Sequence, residues 1–421
     1  MSITSSFQLQ SSSAELEAAA MWAKDQALAY ASDRDPVGLW YEAALPGRAA
    51  FCMRDVAHMS TGAAALGLGG YTKNMLLKFA ENITESKDWC SYWEITKDGL
   101  PCPDDYTSDA DFWYNLPANF DVAACCYRQY LWSGDTDYLN DARFLNFYER
   151  SLNEYVQRWD RDGDGIPDHT RGEGRRGIAS YVEDSLTPKV GGDLVAAQYG
   201  AYAAYGLMAK LRGEDGKAAQ YGELARRLQQ LYDTQWWNEG RGRFSSAILQ
   251  DGTYYSNYYL SAQYMPVYFG LIASDEKRLL AVKDIVRNGV SNVEEMSHLP
   301  EVFFANGEKE EAYRVILTLS DKGTKRREYP EVSYSVIGSI VTGLLGVRPL
   351  ADKGVVEIAP QLPAQVEWVK AEGIALLANK LAVDVRDGLV TVTNQEGSDV
   401  HVLVGERAVR IGAGETEAIR A

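Results

Sequence analysis

Cysteine and histidine are scarce in this chain of 421 residues, which holds five of the first and four of the second. Cys52, Cys90, Cys102, Cys125 and Cys126 are odd in number and include an adjacent pair, a poor basis for a disulfide framework. Free thiols in a reducing, cytoplasmic compartment are the simpler reading. No two cysteines have the two-residue spacing of a zinc site, and histidines are too few to complete one. Basic charge is short as well: 42 Lys and Arg stand against 59 Asp and Glu, a net charge of −17. That balance disfavours nucleic acid and anionic membranes as partners, although a local arginine cluster could hold an acidic sugar. No apolar run approaches the roughly 18–20 residues that span a bilayer. The first residues, MSITSSFQLQSSSAE, offer neither a basic segment nor an apolar one, so no secretory signal is expected. There is no low-complexity segment, and no fixed sequence period of a helical solenoid.

What is present, from residue 14 to 346, is helical periodicity. It predicts about twelve helices, among them Ala14–Ala31, Asp55–Leu68, Thr72–Glu85, Pro117–Trp132, Tyr138–Trp159, Asp193–Leu211 and Val332–Leu345. Their connections alternate. Short turns fall at Gly69–Tyr71, Ser133–Asp137, Gly213–Gly216, Ala273–Asp275 and Gly307; long segments fall at 32–54, 86–116, 160–192, 238–260, 288–299 and 321–331. Alternating short and long links predict antiparallel helix hairpins, and about six hairpins closing in a ring would put every long segment on one face. After Arg348-Pro349 the texture changes to short alternating runs with glycine turns, such as VVEIAP and LAVDVRDGLVTVTNQ. These predict a small antiparallel β-sandwich. The expected division is therefore 1–346, helical, and 347–421, β.

The long segments hold the polar and aromatic clusters, and the short turns hold none. Residues 160–193 are the richest, with Asp160, Asp162, Asp164, Asp168, Glu183, Asp184 and Asp193. Crowded carboxylates raise one another's pKa and can keep one protonated as a general acid. DRDGDGIPD also has the aspartate spacing of a calcium loop at Asp160, Asp162, Asp164 and Asp168, but lacks the closing Glu of an EF-hand; a structural turn is the alternative. No other metal and no cofactor is expected. The 26 Tyr and 10 Trp suit a sugar, whose C–H faces stack on rings while its hydroxyls bond to carboxylates and arginines. Loop residues that could do this are Arg54, Asp55, His58, Trp93, Asp111, Trp113, Tyr114, Tyr181, Tyr258, His298 and Arg327. Glu301 and Glu331 each follow a proline and open an apolar helix. A helix dipole lowers the pKa of a carboxylate there, which suits a base better than an acid; capping is the plain alternative.

Three stretches carry a resemblance to the six-hairpin, (α/α)6-barrel glycosidases. FCMRDVAH resembles the Arg-Asp pair that binds the terminal sugar in glucoamylase-like enzymes. WDRDGDGIPDH with SYVEDS resembles the aspartate-glycine loop and acid-bearing segment of barrel β-glucosidases. PEVSYSVIGSIVTGLLGVRPL, running into VVEIAPQLP, resembles the last helix and β-domain of α-L-rhamnosidase-like enzymes. The resemblance implies that Arg54 and Asp55 hold the sugar at the cleaved bond. It implies that Asp184 or Glu183 is the general acid, and that Glu301 or Glu331 is the base. The chain departs from these families in lacking the Ser-x-Asn-His of the rhamnosidases and the Gln-Thr-Tyr-Asp of the β-glucosidases. The implied activity is an exo-acting glycoside hydrolase on an oligosaccharide or glycoside. Inversion is expected, which needs the two carboxyls about 6.5–9.5 Å apart. A phosphorylase, an epimerase or an unsaturated-uronide hydrolase on the same barrel, or a non-catalytic carbohydrate-binding protein, are the rivals. A phosphorylase would need an anion site, for which Arg175-Arg176 or Arg326-Arg327 could serve.

Overall fold

The computed structural model describes residues 3–170, 174–183 and 186–420. Its helices are α1 Ala14–Ala29, α2 Met53–Ala65, α3 Gly69–Glu81, α4 Ala118–Ser133, α5 Asp137–Asn140, α6 Ala142–Leu152, α7 Glu154–Trp159, α8 Gly192–Leu211, α9 Asp215–Leu231, α10 Ser261–Tyr268, α11 Asp275–Asn288, α12 Val293–Met296, α13 Leu299–Ala305, α14 Lys309–Ser320 and α15 Pro330–Ser339. Among the described residues no helix is long and apolar enough to cross a membrane.

Two kinds of helix follow from the sequence pattern. On α9 a single stripe is buried, Tyr221, Ala225 and Leu228, at the spacing of one helix face. On α15 every residue is buried, and α8 hides small side chains such as Ala196, Ala197, Ala201 and Ala204 on more than one side. The second kind packs on itself: α15 on α2, α2 on α4, α4 on α8, α8 on α10 and α10 on α13. In turn α13 touches the π-helical turn Ile340–Leu344 that prolongs α15. The one-stripe helices back them, α3 on α2, α9 on α8, α11 on α10 and α14 on α13.

The contact of α2 with α15 fixes the site below. A Cβ placed on Gly62 would stand 2.0 Å from the Tyr334 carbonyl oxygen, and one on Gly338 would stand 3.2 Å from the Gly62 nitrogen. Only glycine allows the two backbones so close. Asp55 and Glu331 each precede these glycines by seven residues, which is two helical turns. The crossing therefore holds their two first turns at one level.

The strands correct the sequence reading in two places. Val347 does begin a β region, with one sheet of Val347–Leu350, Val355–Ile358, Val400–Val404 and Arg407–Ile411. The other sheet contains Trp368–Leu376, Asn379–Arg386, Leu389–Glu396 and Thr416–Arg420, but its edge strand is Gln8–Ser11, from the other end of the chain. Val355–Ile358 pairs parallel to Val400–Val404, whereas antiparallel strands were expected throughout. The intervening chain builds the other sheet, so this pair is joined by a long crossover and not by a hairpin. Within 3–346 the described ladders are antiparallel.

Helix Tyr138–Trp159 is broken into three. Asp141 leaves the helical region to cap α6 by accepting from the Arg143 N–H at 2.8 Å, and Asn153 breaks the chain again before α7. The long segments are not structureless. Ala50–Cys52 pairs with Glu94–Thr96, and Ala247–Ile248 pairs with both Val190–Gly191 and Tyr254–Tyr255. These short ladders tie the long segments to one another in pairs.

Candidate functional site

Arg54 and Asp55 lie in the first turn of α2. The N–H of Met53 donates to the Trp93 carbonyl at 3.1 Å, which moors the helix start to the loop that carries Trp93. The Arg54 guanidinium lies 5.7 Å from the Trp93 ring centre and 5.2 Å from that of Tyr181. Its Nε is 3.2 Å from Asp55 Oδ1, and its Nη1 is 3.9 Å from Glu183 Oε1. Burial raises the Asp55 carboxyl to about 6 in spite of this cation.

Glu183 is placed by a buried aspartate behind it. Asp193, in the first turn of α8, accepts from Ser180 Oγ at 2.9 Å, from the Tyr181 N–H at 2.7 Å and from Ser261 Oγ at 2.8 Å. One carboxylate thus pins the 180–183 segment to the starts of α8 and α10. Gly191 is needed beside it, since a Cβ there would stand 2.3 Å from Asp193 Oδ1. The Tyr181 hydroxyl donates to Asp121 on α4, whose own burial pushes it up to about 7. Burial also raises Glu183, against the pull of Arg54. Asp184 lies outside the described residues.

A third contribution comes from the short helix α12 and the start of α13. Asn292 caps α12 by accepting from the Glu294 N–H at 2.9 Å and donates its amide to Glu294 Oε2 at 2.7 Å. Ser297 Oγ donates to the Glu294 carbonyl at 2.5 Å and lies 2.9 Å from His58 Nε2. With the serine proton committed, His58 donates from Nε2 and its buried Nδ1 is a bare acceptor with no protein partner. The His58 and His298 rings stack at 3.5 Å. Burial and neighbouring positive charge hold both histidines neutral, His58 well below its usual range and His298 at about 3. Glu295 has a buried Oε2 without a partner among the described residues, and burial pushes its carboxyl up to about 8.

Glu331 completes the set from the start of α15. Its side chain is 4 % exposed and its Oε2 has no partner. Burial, then the charge of Asp55, drive its carboxyl well above the usual range. The expectation that a helix N-terminus would keep Glu301 and Glu331 low in pKa is thereby corrected. Burial raises Glu301 as well, and in both it outweighs the dipole, which is worth only about 0.3–1 kcal/mol at such a position.

Arg54, Asp55, His58, Tyr181, Glu183, Ser261, Tyr264, Glu294, Glu295, His298 and Glu331 line one cavity of about 280 Å³. The remaining residues singled out in the sequence lie off this lining. Trp93 sits behind Arg54. Tyr114 is fully buried and its hydroxyl donates to Asn119. Trp113 donates to Asn115 at 3.0 Å, and Asp111 is held by Arg175 at 2.9 Å. Tyr258 has a buried hydroxyl without a partner, and Arg327 lies 4.0 Å over the Trp22 ring. Glu301 turns towards Arg128, 4.0 Å away. Sequence reasoning missed Glu294 and Glu295. Their signal was the capping residue Asn292 ahead of two acids inside a long segment.

The oxygens of Asp160, Asp162 and Asp164 do cluster. However, the Asp160 carboxylate accepts from the N–H groups of Gly163, Asp164 and Gly165, Lys189 lies on Asp162, and Asp168 pairs with Arg161 at 3.1 Å. The donor set is spent on the turn itself and on a lysine, so it does not fit calcium.

No protein-family model matches the sequence, and comparison with curated proteins finds no match. Solved structures do match in fold. A GH78 rhamnosidase of Bacillus sp. GL1 superposes with a TM-score of 0.72 at 13% identity, covering 96% of this chain and 43% of its own. The α-L-rhamnosidase of Aspergillus terreus gives 0.67 at 13% identity, covering 100% and 50%. A putative kojibiose phosphorylase from the human microbiome gives 0.65 at 10% identity, covering 99% and 60%. At these identities the likeness is one of fold alone, shared with rhamnosidases and with the phosphorylase. The chain spans about half the length of the rhamnosidases it matches.

Proposed function

We propose that the chain is an exo-acting glycoside hydrolase built on an (α/α)6 barrel, with 347–421 as its accessory β-sandwich and the cavity as the pocket for the terminal sugar. The packing circuit α15–α2–α4–α8–α10–α13, returning to the end of α15, supports the barrel. The observation that carries the function is one cavity lined by five carboxyl residues, Asp55, Glu183, Glu294, Glu295 and Glu331, with Arg54 among them. A binding protein needs no such set. The free, buried cysteines fit a reducing cytoplasm.

For the chemistry we assign the acid to Glu183, or to Asp184 beside it, and the base to Glu331. One protonates the glycosidic oxygen while the other takes a proton from the attacking water. Burial and the charge of Asp55 favour the protonated form of Glu331, and burial raises Asp55 as well. Sugar hydroxyls donating to Asp55, and a water donating to Glu331, would favour the charged forms and free Glu331 to act as base. Of the two arginine pairs that phosphorolysis could use, Arg175 and Arg176 are already engaged by Asp111 and Asp88, which leaves Arg326 and Arg327. The test is sugar release from a panel of aryl glycosides with and without phosphate, followed by the anomer of the product. Phosphate-independent release with inversion supports the reading. Strict dependence on phosphate, or no turnover by protein that binds the sugar, refutes it.

A further inference from the structure

The cavity is unevenly charged in a way that bears on which sugar it takes. Among the described residues lining it there is one cation, Arg54, and it already serves two carboxylates, Asp55 at 3.2 Å and Glu183 at 3.9 Å. Glu294 is partnered only by an amide, that of Asn292, in the bonds that fix it. Glu295 and Glu331 each keep a buried Oε2 without a partner among the described residues, and Glu331 is almost wholly buried. The two histidines of the lining add no positive charge, since both are held neutral near pH 7. A further arginine, Arg128, is turned to Glu301 and to the Ala57 carbonyl.

Burying carboxyls without compensation is costly, and the cost is relieved by whatever cation or donor enters the space. An incoming carboxylate would find no unshared guanidinium, and its charge would oppose ionisation of the carboxyls around it. An incoming ammonium would find bare oxygens on Glu295 and Glu331 and a third acid at Glu294.

We infer that the cavity selects a terminal sugar without an acid group, and binds one carrying a protonated amine more tightly than its hydroxyl counterpart. This rests on the glycosidase reading above and narrows its substrate class, away from uronides and towards neutral and amino sugars.

The test is equilibrium binding to the full chain, by calorimetry at neutral pH, of methyl glycosides offered as matched triplets. Each triplet has one configuration (gluco, galacto or manno) in a hydroxyl, a 2-amino-2-deoxy and a uronate form. In the configuration that binds, the amino form should be tighter than the hydroxyl form by about tenfold at low salt, and the uronate weaker by at least about tenfold. Added salt should shrink both gaps. The Glu294→Gln, Glu295→Gln double variant should shrink them as well, with its fold checked by its melting temperature. Uronate binding on a par with the hydroxyl form, or no preference for the amine, overturns the inference and leaves the glycosidase reading standing. Failure of every configuration to bind overturns the glycosidase reading itself, and the inference with it.

Discussion

Gly62→Ala is the substitution that tests how the site is built. The added methyl would meet the Tyr334 carbonyl oxygen at 2.0 Å, against an ordinary contact of 3.4 Å or more. That oxygen is helix backbone and cannot swing aside, so α2 and α15 must part by about 1.4 Å. Overpacking of this kind costs about 1–3 kcal/mol. Because Asp55 lies two turns from the contact on α2, and Glu331 less than one turn from Tyr334 on α15, the same displacement reaches the cavity. A misplacement of about 1 Å costs on the order of 10²-fold in rate. Urea unfolding should therefore show a lower midpoint at unchanged slope. The kcat/KM on the best aryl glycoside should fall more than the loss of folded protein explains. Gly222→Ala, on the exposed side of α9 with no atom near its Cβ, is the control and should be neutral or stabilising by up to about 1 kcal/mol. A Gly62→Ala protein with wild-type midpoint and wild-type kcat/KM would refute the close crossing and the argument that it sets the two carboxyls side by side.

Four further outcomes are expected. Glu331→Gln should lower turnover of all substrates by about 10²-fold or more, whereas Glu183→Gln should do so for natural glycosides and partly spare those with good leaving groups. If Glu183→Gln is silent, the same pattern is expected of Asp184→Asn. Glu295, at about 8, and Asp121, at about 7, bind protons in the folded chain that the unfolded chain releases. Stability should then fall as pH rises from about 4 to about 8, and Glu295→Gln should flatten that fall by up to a few kcal/mol, read as melting temperature against pH. With the Asp160 loop closed by its own N–H groups and Lys189, EDTA or added calcium should move the melting temperature by less than about 1 °C.

What the sequence disclosed and what it withheld divide along the range of the physics involved. The long helices were legible because their periodicity is local, and the long segments that bring residues to the cavity were legible because short and long connections alternate. Asp55 could be picked out as an acid beside an arginine at a helix start, and Glu331 as an acid after a proline at another. The fate of those same carboxyls was not legible. A dipole can be read from position in a helix, but burial depends on neighbours far away in sequence, such as Tyr334 against Gly62, and here burial decides the sign of the shift. Two of the aromatics lie off the cavity for the same reason, whereas Tyr181 lines it. Tyr114 and Trp113 carry the composition of a sugar platform, yet their hydroxyl and N–H go to Asn119 and Asn115, and they serve as packing. Glu294 and Glu295 were missed because a four-residue helix has no periodicity to detect, although Asn292 announced its start. The strand Gln8–Ser11 finds its partner some 360 residues away, at Val369–Glu372, and nothing within the segment itself foretells that pairing. The residues that local pattern could not reach include two of the five carboxyls that line the cavity, on which the inferred choice of sugar rests.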